Sequence, residues 1–137
     1  MRILADTGAL FAVAEETDEW HGRMKAWLTS TRTPLVVPTT VVQETAYFFG
    51  LRRGPLAEAA FVRALLRDGF AVEALEQADL ERAAALMERY ADFPIGFVDA
   101  SIVAIAERLD IRELLTTDRR HFGVIRPAHC ERLRLLP

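Results

Sequence analysis

Four short apolar runs, Arg2–Ala5, Leu35–Val37, Phe70–Leu75 and Glu113–Leu115, are separated by stretches long enough to hold one or two helices each. This alternation constrains the fold more than any other feature. Antiparallel neighbours need only a tight turn between them, whereas strands that recur after a helical excursion pair in parallel. The pattern predicts an α/β protein whose sheet is covered by helices on both faces. Val124–Arg126 and Leu133–Leu136 are short enough to be terminal edge strands.

The intervening segments carry helix signals. Asp6-Thr7-Gly8 is a polar turn ahead of the apolar Ala9–Ala14, which reads as a short helix. From Asp18 to Ser30, Trp20, Met24, Trp27 and Leu28 recur at helical spacing, with Thr17 or Asp18 as the N-cap. Thr40 and Gln43 have capping-box spacing at the head of a helix that runs through Glu44 to about Arg53. Gly54-Pro55 closes it and starts another, with Leu56, Ala60, Phe61 and Leu65 expected on its inner face. A helix from about Ala78 to Ala91 is expected to turn Leu80, Ala84, Met87 and Ala91 inward. Asp92–Gly96 is a loop, and a further helix runs from Phe97 or Val98 to Leu109.

The chain has 137 residues, with 17 Lys and Arg against 20 Asp and Glu, and one cysteine. That length suits one domain spanning residues 1–137, with enough core to fold without a disulfide or structural metal. Cys130 has no partner for a disulfide or a zinc site, which suits a reducing compartment. Apolar runs are broken by charges well short of a membrane span, and MRILADTGALFAVAEE lacks the layout of a signal peptide. The expectation is a soluble cytoplasmic protein. The net charge of −3 argues at first against a nucleic-acid partner, because phosphate binding leaves a basic footprint. Only Lys25 is a lysine; the other 16 basic residues are arginine, whose planar fork suits phosphate but whose abundance also follows from genome composition.

Four carboxylates occupy comparable places. Asp6 follows the first strand and Asp118 the fourth, while Glu44 and Asp99 lie in the early turns of helices. In an open parallel sheet, ligands bind at the carboxyl ends of strands where the strand order reverses. Apolar residues precede three of the acids: Ile3-Leu4-Ala5 before Asp6, Val41-Val42 before Glu44, and Phe97-Val98 before Asp99. Singly, each acid reads as a helix cap or a surface charge, and Asp99 would meet the helix dipole favourably with no catalytic role. The set of four is what favours a site. Carboxylates gathered without matching cationic side chains call for cations, and oxygen ligands select Mg²⁺ or Mn²⁺. Such a cluster commonly activates water against a phosphodiester.

The segments LADTGAL, VVQETAYFF, FPIGFVDASIVAIAERL and LLTTDRRHFGVIRP, in that order, resemble the PIN-domain ribonucleases, and among them the VapC-type toxins of toxin–antitoxin modules. The likeness covers essentially the whole chain. It implies a three-layer α/β/α fold with a central, mainly parallel sheet. It also implies an endoribonuclease that uses Mg²⁺ or Mn²⁺ and a small antitoxin protein that inhibits it. A homodimer is implied as well. By the same resemblance Asp6, Asp99 and Asp118 look like metal ligands, with Glu44 completing the catalytic set. Thr7 and Thr117 would hydrogen-bond the carboxylates or water at the metal. Gly96 departs from relatives that carry a polar or acidic residue before the Asp99 helix, which leaves Asp92 as the nearest additional acid, read here as a loop or cap residue.

Arg119, Arg120 and Arg126 surround Asp118 in sequence and read either as phosphate contacts at the pocket rim or as solvated surface charge. His21, His121 and His129 are expected to pack or hydrogen-bond rather than catalyse, and Cys130 has no base arranged beside it. Trp20, Trp27, Phe48, Phe49 and Phe61 fall on helical faces as core or dimer contacts. Rival α/β functions lack their residues: there is no P-loop Gly-Lys-Ser/Thr, no glycine triplet for a dinucleotide, and no lysine after the last strand for a receiver domain. A haloacid-dehalogenase-type phosphatase would want an aspartate where Gly8 stands. A non-catalytic protein-binding module and a structure-specific DNA nuclease are the alternatives that survive. Setting the four acids aside leaves 16 acids against 17 bases, so the negative charge is largely the signature of the site itself.

Overall fold

The computed structural model describes residues 1–137. Five strands form one sheet in the order β3-β2-β1-β4-β5, and every neighbouring pair is parallel. They are β1 (Ile3–Ala5), β2 (Leu35–Pro38), β3 (Ala71–Glu73), β4 (Glu113–Leu115) and β5 (Arg134–Leu136). The helices are α1 (Thr7–Ala14), α2 (His21–Ser30), α3 (Thr39–Arg53), α4 (Pro55–Arg67), α5 (Gln77–Arg89), α6 (Phe97–Leu109) and the single turn α7 (Arg119–Phe122). Right-handed crossovers place α1 to α4 over one face as the chain moves outward from β1 to β3. They place α5 and α6 over the other as it returns to β4. The three layers follow.

The central strands are buried on both faces, as their unbroken apolar runs require: Ile3, Leu4, Ala5, Leu35, Val36, Val37, Leu114 and Leu115 all join the core. Helix α6 is buried continuously from Ala100 to Ala106, with the sheet on one side and α5 on the other. It ends at Asp110, which adopts the left-handed conformation with φ 52°. Strand order reverses between β1 and β4, so the carboxyl ends of these two strands open the crevice where such sheets bind ligands.

Several sequence expectations are corrected. Val124–Arg126 is not a strand: the N–H groups of Val124 and Ile125 both turn back to the His121 carbonyl, at 3.0 and 3.1 Å, and the Arg126 N–H donates to the Tyr90 hydroxyl. Helix α1 begins at Thr7 rather than Ala9, because the Asp6 side chain caps it. Helix α2 begins only at His21; Asp18 instead closes a turn by accepting from the Trp20 N–H at 2.8 Å. The Thr40/Gln43 capping box does not form, since the Thr40 hydroxyl pairs with Ser101 at 2.7 Å. Leu56 in α4 is 85% exposed, because that helix packs chiefly on α3 rather than on the sheet.

In α5 the inner face is displaced around the helix. Asp79, Ala83 and Leu86 are buried while Leu80 and Met87 face outward. A paired aspartate on the buried face is the cause: Arg108 of α6 reaches Asp79 Oδ2 at 3.0 Å, and Asp79 also completes a capping box with Glu76.

Candidate active site

A cleft of about 420 Å³ opens at the reversal point, and Asp6, Glu44, Asp99 and Asp118 all line it. Four separate elements deliver them. Asp6 leaves the end of β1 and stays within hydrogen-bonding reach of β4, its N–H donating to the Leu115 carbonyl at 3.1 Å. Asp118 follows β4, and its side chain caps α7. Glu44 stands one turn along α3 from Thr40, and Asp99 two residues before Ser101 in α6. The Thr40–Ser101 hydrogen bond therefore ties together the two helices that carry these acids. Thr7, Gly8 and Thr117 line the same cleft, and a Cβ on Gly8 would collide with the Thr117 hydroxyl.

Asp6 is 5% exposed and held from two sides. Oδ1 accepts the Ala9 N–H at 2.9 Å, which is the α1 cap, and Oδ2 accepts the Thr116 hydroxyl. Burial pushes this carboxyl up to about 7; the Thr116 and Ala9 hydrogen bonds oppose the rise, and the charges of Asp99 and Asp118 add to it. Asp99 is likewise pushed up to about 6, by burial first and then by Asp118, with His121 opposing and Glu44 adding. None of Asp6, Glu44 and Asp99 has an arginine, lysine or histidine ion-pair partner.

Asp118 is more firmly tethered. Its two oxygens take the His121 N–H and the His121 Nδ1, each at 2.9 Å, and its own N–H donates to Thr116 Oγ1 at 2.9 Å. His121 thus does the hydrogen bonding expected of it, but inside the site: ligand atoms of Asp99, Asp118 and His121 lie within 4.8 Å of one another. His21 and His129 hydrogen-bond the backbone carbonyls of Ala12 and Ile111.

Three residues of the site escaped the sequence reading. Thr116, fully buried, gives its hydroxyl to Asp6 and accepts from the Asp118 N–H, so one side chain sets both carboxylates. The Thr-x-Asp spacing, with a hydroxyl accepting an N–H two residues on, was the available signal. Asp18 and Arg52 also line the cleft, as does Phe48, which is 40% exposed rather than a core contact. Asp92 and Arg126 are not among the lining residues.

The donor set fits a hard cation. Its donors are oxygen atoms from several carboxylates, of which Asp6, Glu44 and Asp99 have no ion-pair partner, and the Thr7 hydroxyl is buried there without a hydrogen-bond partner. Two carboxyls raised by burial and mutual repulsion are what a bound divalent ion would relieve.

Fold, crevice and acids together define a chain of the nuclease-like α/β class, and comparison with known proteins agrees: residues 3–126 match the PIN domain, and the chain belongs to the PIN-domain family. It is 34% identical to ribonuclease VapC26 of Mycobacterium tuberculosis (strain ATCC 25618 / H37Rv) over 135 residues, which is 98% of this chain and 100% of the relative. Among solved structures it superposes on VapC20 of M. tuberculosis, a Sarcin-Ricin loop cleaving toxin, with a TM-score of 0.79 at 24% identity, over 86% of this chain and 91% of that one. A toxin–antitoxin complex from Klebsiella pneumoniae matches with a TM-score of 0.70 at 21% identity, over 98% and 96% of the two chains.

Proposed function

We propose that this protein is a metal-dependent endoribonuclease of the VapC type, the toxin of a toxin–antitoxin module, that hydrolyses RNA phosphodiester bonds in the acidic cleft. The observation that carries the reading is the meeting of Asp6, Glu44, Asp99 and Asp118, three of them without an ion-pair partner, at the strand-order reversal of a PIN-domain chain. The 34% identity to ribonuclease VapC26 across nearly the full length of both chains supports RNA as the substrate. The likeness to a toxin–antitoxin complex supports a small protein antitoxin as the inhibitory partner. No helix is long and apolar enough to cross a membrane, and the protein acts in the cytoplasm, on RNA. A homodimer fits the exposed apolar side chains Tyr47, Leu51, Leu56 and Leu66 on α3 and α4.

Asp6, Asp99 and Asp118 would hold the ion, Mg²⁺ or Mn²⁺, with Glu44 completing the donor set from α3. When bound, the ion supplies a Lewis acid that polarises the phosphoryl oxygens and lowers the pKa of water. The chain does the rest. Thr116 fixes Asp6 and Asp118 relative to one another, and His121 prevents Asp118 from rotating. The unpartnered Thr7 hydroxyl and the neighbouring Thr117 are placed to donate to the substrate phosphate or to water. Gly8 keeps the cleft floor open beside Thr117.

The test offers purified protein RNA and DNA of matched sequence, with Mg²⁺ or Mn²⁺ and with EDTA. Cleavage of RNA that EDTA abolishes is expected. Equal or preferential cleavage of DNA would make it a DNA nuclease, and tight partner binding without any turnover would make it a binding module.

A further inference from the structure

Five arginines lie over aromatic rings, against an expectation of about two such contacts in a chain of this size. None of the five pairs with an Asp or Glu side chain, although acids outnumber bases in the chain. One of them lines the acidic cleft, and two more, Arg119 and Arg120, stand outside its lining but directly follow the lining residue Asp118 in the chain. Arg52, which lines it, lies 4.9 Å from the centroid of Phe11, another lining residue. Arg119 lies 5.5 Å from Trp20, and Arg120 lies 5.2 Å from Phe93. The Phe93 ring also packs at 5.2 Å against His121, the residue that holds Asp118.

A guanidinium held at a ring by its charge gives up none of its N–H groups to an acceptor atom there. Those N–H groups, coplanar in a fork, remain free to take a phosphate bidentately. The ring also restricts a long side chain before any ligand arrives, which removes part of the ordering cost of binding. Arg119 spends one N–H on the Pro137 carbonyl at 2.7 Å, which restricts it further. Placement follows from topology. α7, with Arg119 and Arg120, follows β4, and α3 follows β2, so the two elements start on opposite sides of β1. Glu44, Phe48 and Arg52 recur every fourth residue along one face of α3. Arg52 is therefore about 12 Å along the helix from the acid, too far to serve the same phosphate.

We propose that Arg52, Arg119 and Arg120, each seated on an aromatic ring in or beside the acidic cleft, form a track that binds the backbone phosphates flanking the scissile bond of a single-stranded RNA. The inference rests on the RNA-cleaving reading above and adds the residues that guide the strand. The rings of Phe11, Trp20 and Phe93 are positioning groups in this track. Arg63, exposed on α4 and without a ring or ion pair, stands outside it.

The test measures binding of a fluorescent single-stranded oligoribonucleotide to the whole protein across a range of NaCl concentrations, with Ca²⁺ in place of Mn²⁺ and the strand checked on a gel to be intact after each titration. Each phosphate contact contributes about 0.7 to the slope of log affinity against log salt on a single strand. Arg52→Gln, Arg119→Gln and Arg120→Gln should each flatten that slope by about this amount and weaken binding about fivefold at 0.1 M salt. Arg63→Gln should leave the slope unchanged, and its Mn²⁺ affinity, measured by calorimetry, should equal that of the wild type. Phe11→Leu and Phe93→Leu should weaken binding while preserving the slope, since the charge remains. Circular dichroism verifies that each variant is folded. If wild-type protein binds with a steep slope and the three glutamine variants keep it, the track is wrong while RNA recognition stands. If wild-type protein binds no RNA, the parent reading falls and the track with it.

Discussion

At the residue scale the site is governed by what Asp6 costs when nothing neutralises it. Its carboxyl titrates at about 7 in the folded chain against an ordinary value of 3.8. The folded state therefore holds this proton more tightly than the unfolded state does. The metal-free protein keeps the associated stability below pH 4 and loses it as the pH rises towards 7. Asp6→Asn removes the penalty, because an amide oxygen still accepts from Ala9. Relative to wild type, the metal-free variant should gain on the order of 2–4 kcal/mol between pH 5 and pH 8 in urea unfolding. Parallel pH profiles for the two proteins would mean that Asp6 ionises freely. Thr116 offers a second check. Thr116→Val strips a hydrogen bond from Asp6 and another from the Asp118 N–H, so a loss of about 1–3 kcal/mol is expected, together with weaker Mn²⁺ binding. Retained metal affinity in that variant would show that the carboxylates do not depend on the threonine.

At the scale of elements, α5 and α6 illustrate what sequence periodicity could and could not reveal. Strands β1, β2 and β4 were legible because they are largely buried and read as unbroken apolar runs, and β3, an exposed edge strand, because its apolar run falls between two helical stretches. The exposed face of α5 was misread because its buried face is built on a charge. Asp79 is 2% exposed, yet it is satisfied by Arg108 and by the Glu76 N–H. No period of apolar residues reports a pairing made between two helices. Asp79→Ala should accordingly cost about 1–2 kcal/mol in denaturant unfolding, because it removes a cap and the nearest of the three carboxylates around Arg108, leaving Glu73 and Glu76 in place. Its Mn²⁺ affinity should stay at the wild-type value, since α5 contributes nothing to the cleft. The four acids were legible for a different reason: each stands just past a strand end or in the early turns of a helix, where an open parallel sheet gathers its ligands. Thr116, Asp18 and Arg52 were not, because their roles depend on which loop faces which helix across the crevice.

At the scale of the whole molecule, charge and topology are one problem. A parallel sheet with its order reversed at β1 and β4 brings acids from four elements to one crevice, and the chain supplies no cation to Asp6, Glu44 or Asp99. The net charge of −3 is thus concentrated where a divalent ion would sit, and arginines that pair with no Asp or Glu side chain stand in or beside the cleft. Metal and substrate are coupled in this arrangement: until the acids are neutralised they repel the phosphodiester that the arginines attract.

The most direct measurement of the central claim pairs RNA cleavage with Mn²⁺ calorimetry on wild-type protein, Asp6→Asn and Asp99→Asn. Wild-type protein should bind Mn²⁺ and cleave RNA, whereas both variants should fold, bind Mn²⁺ at least tenfold more weakly and lose cleavage by about two orders of magnitude or more. Undiminished cleavage by both folded variants would contradict the assignment of this cleft as the catalytic centre.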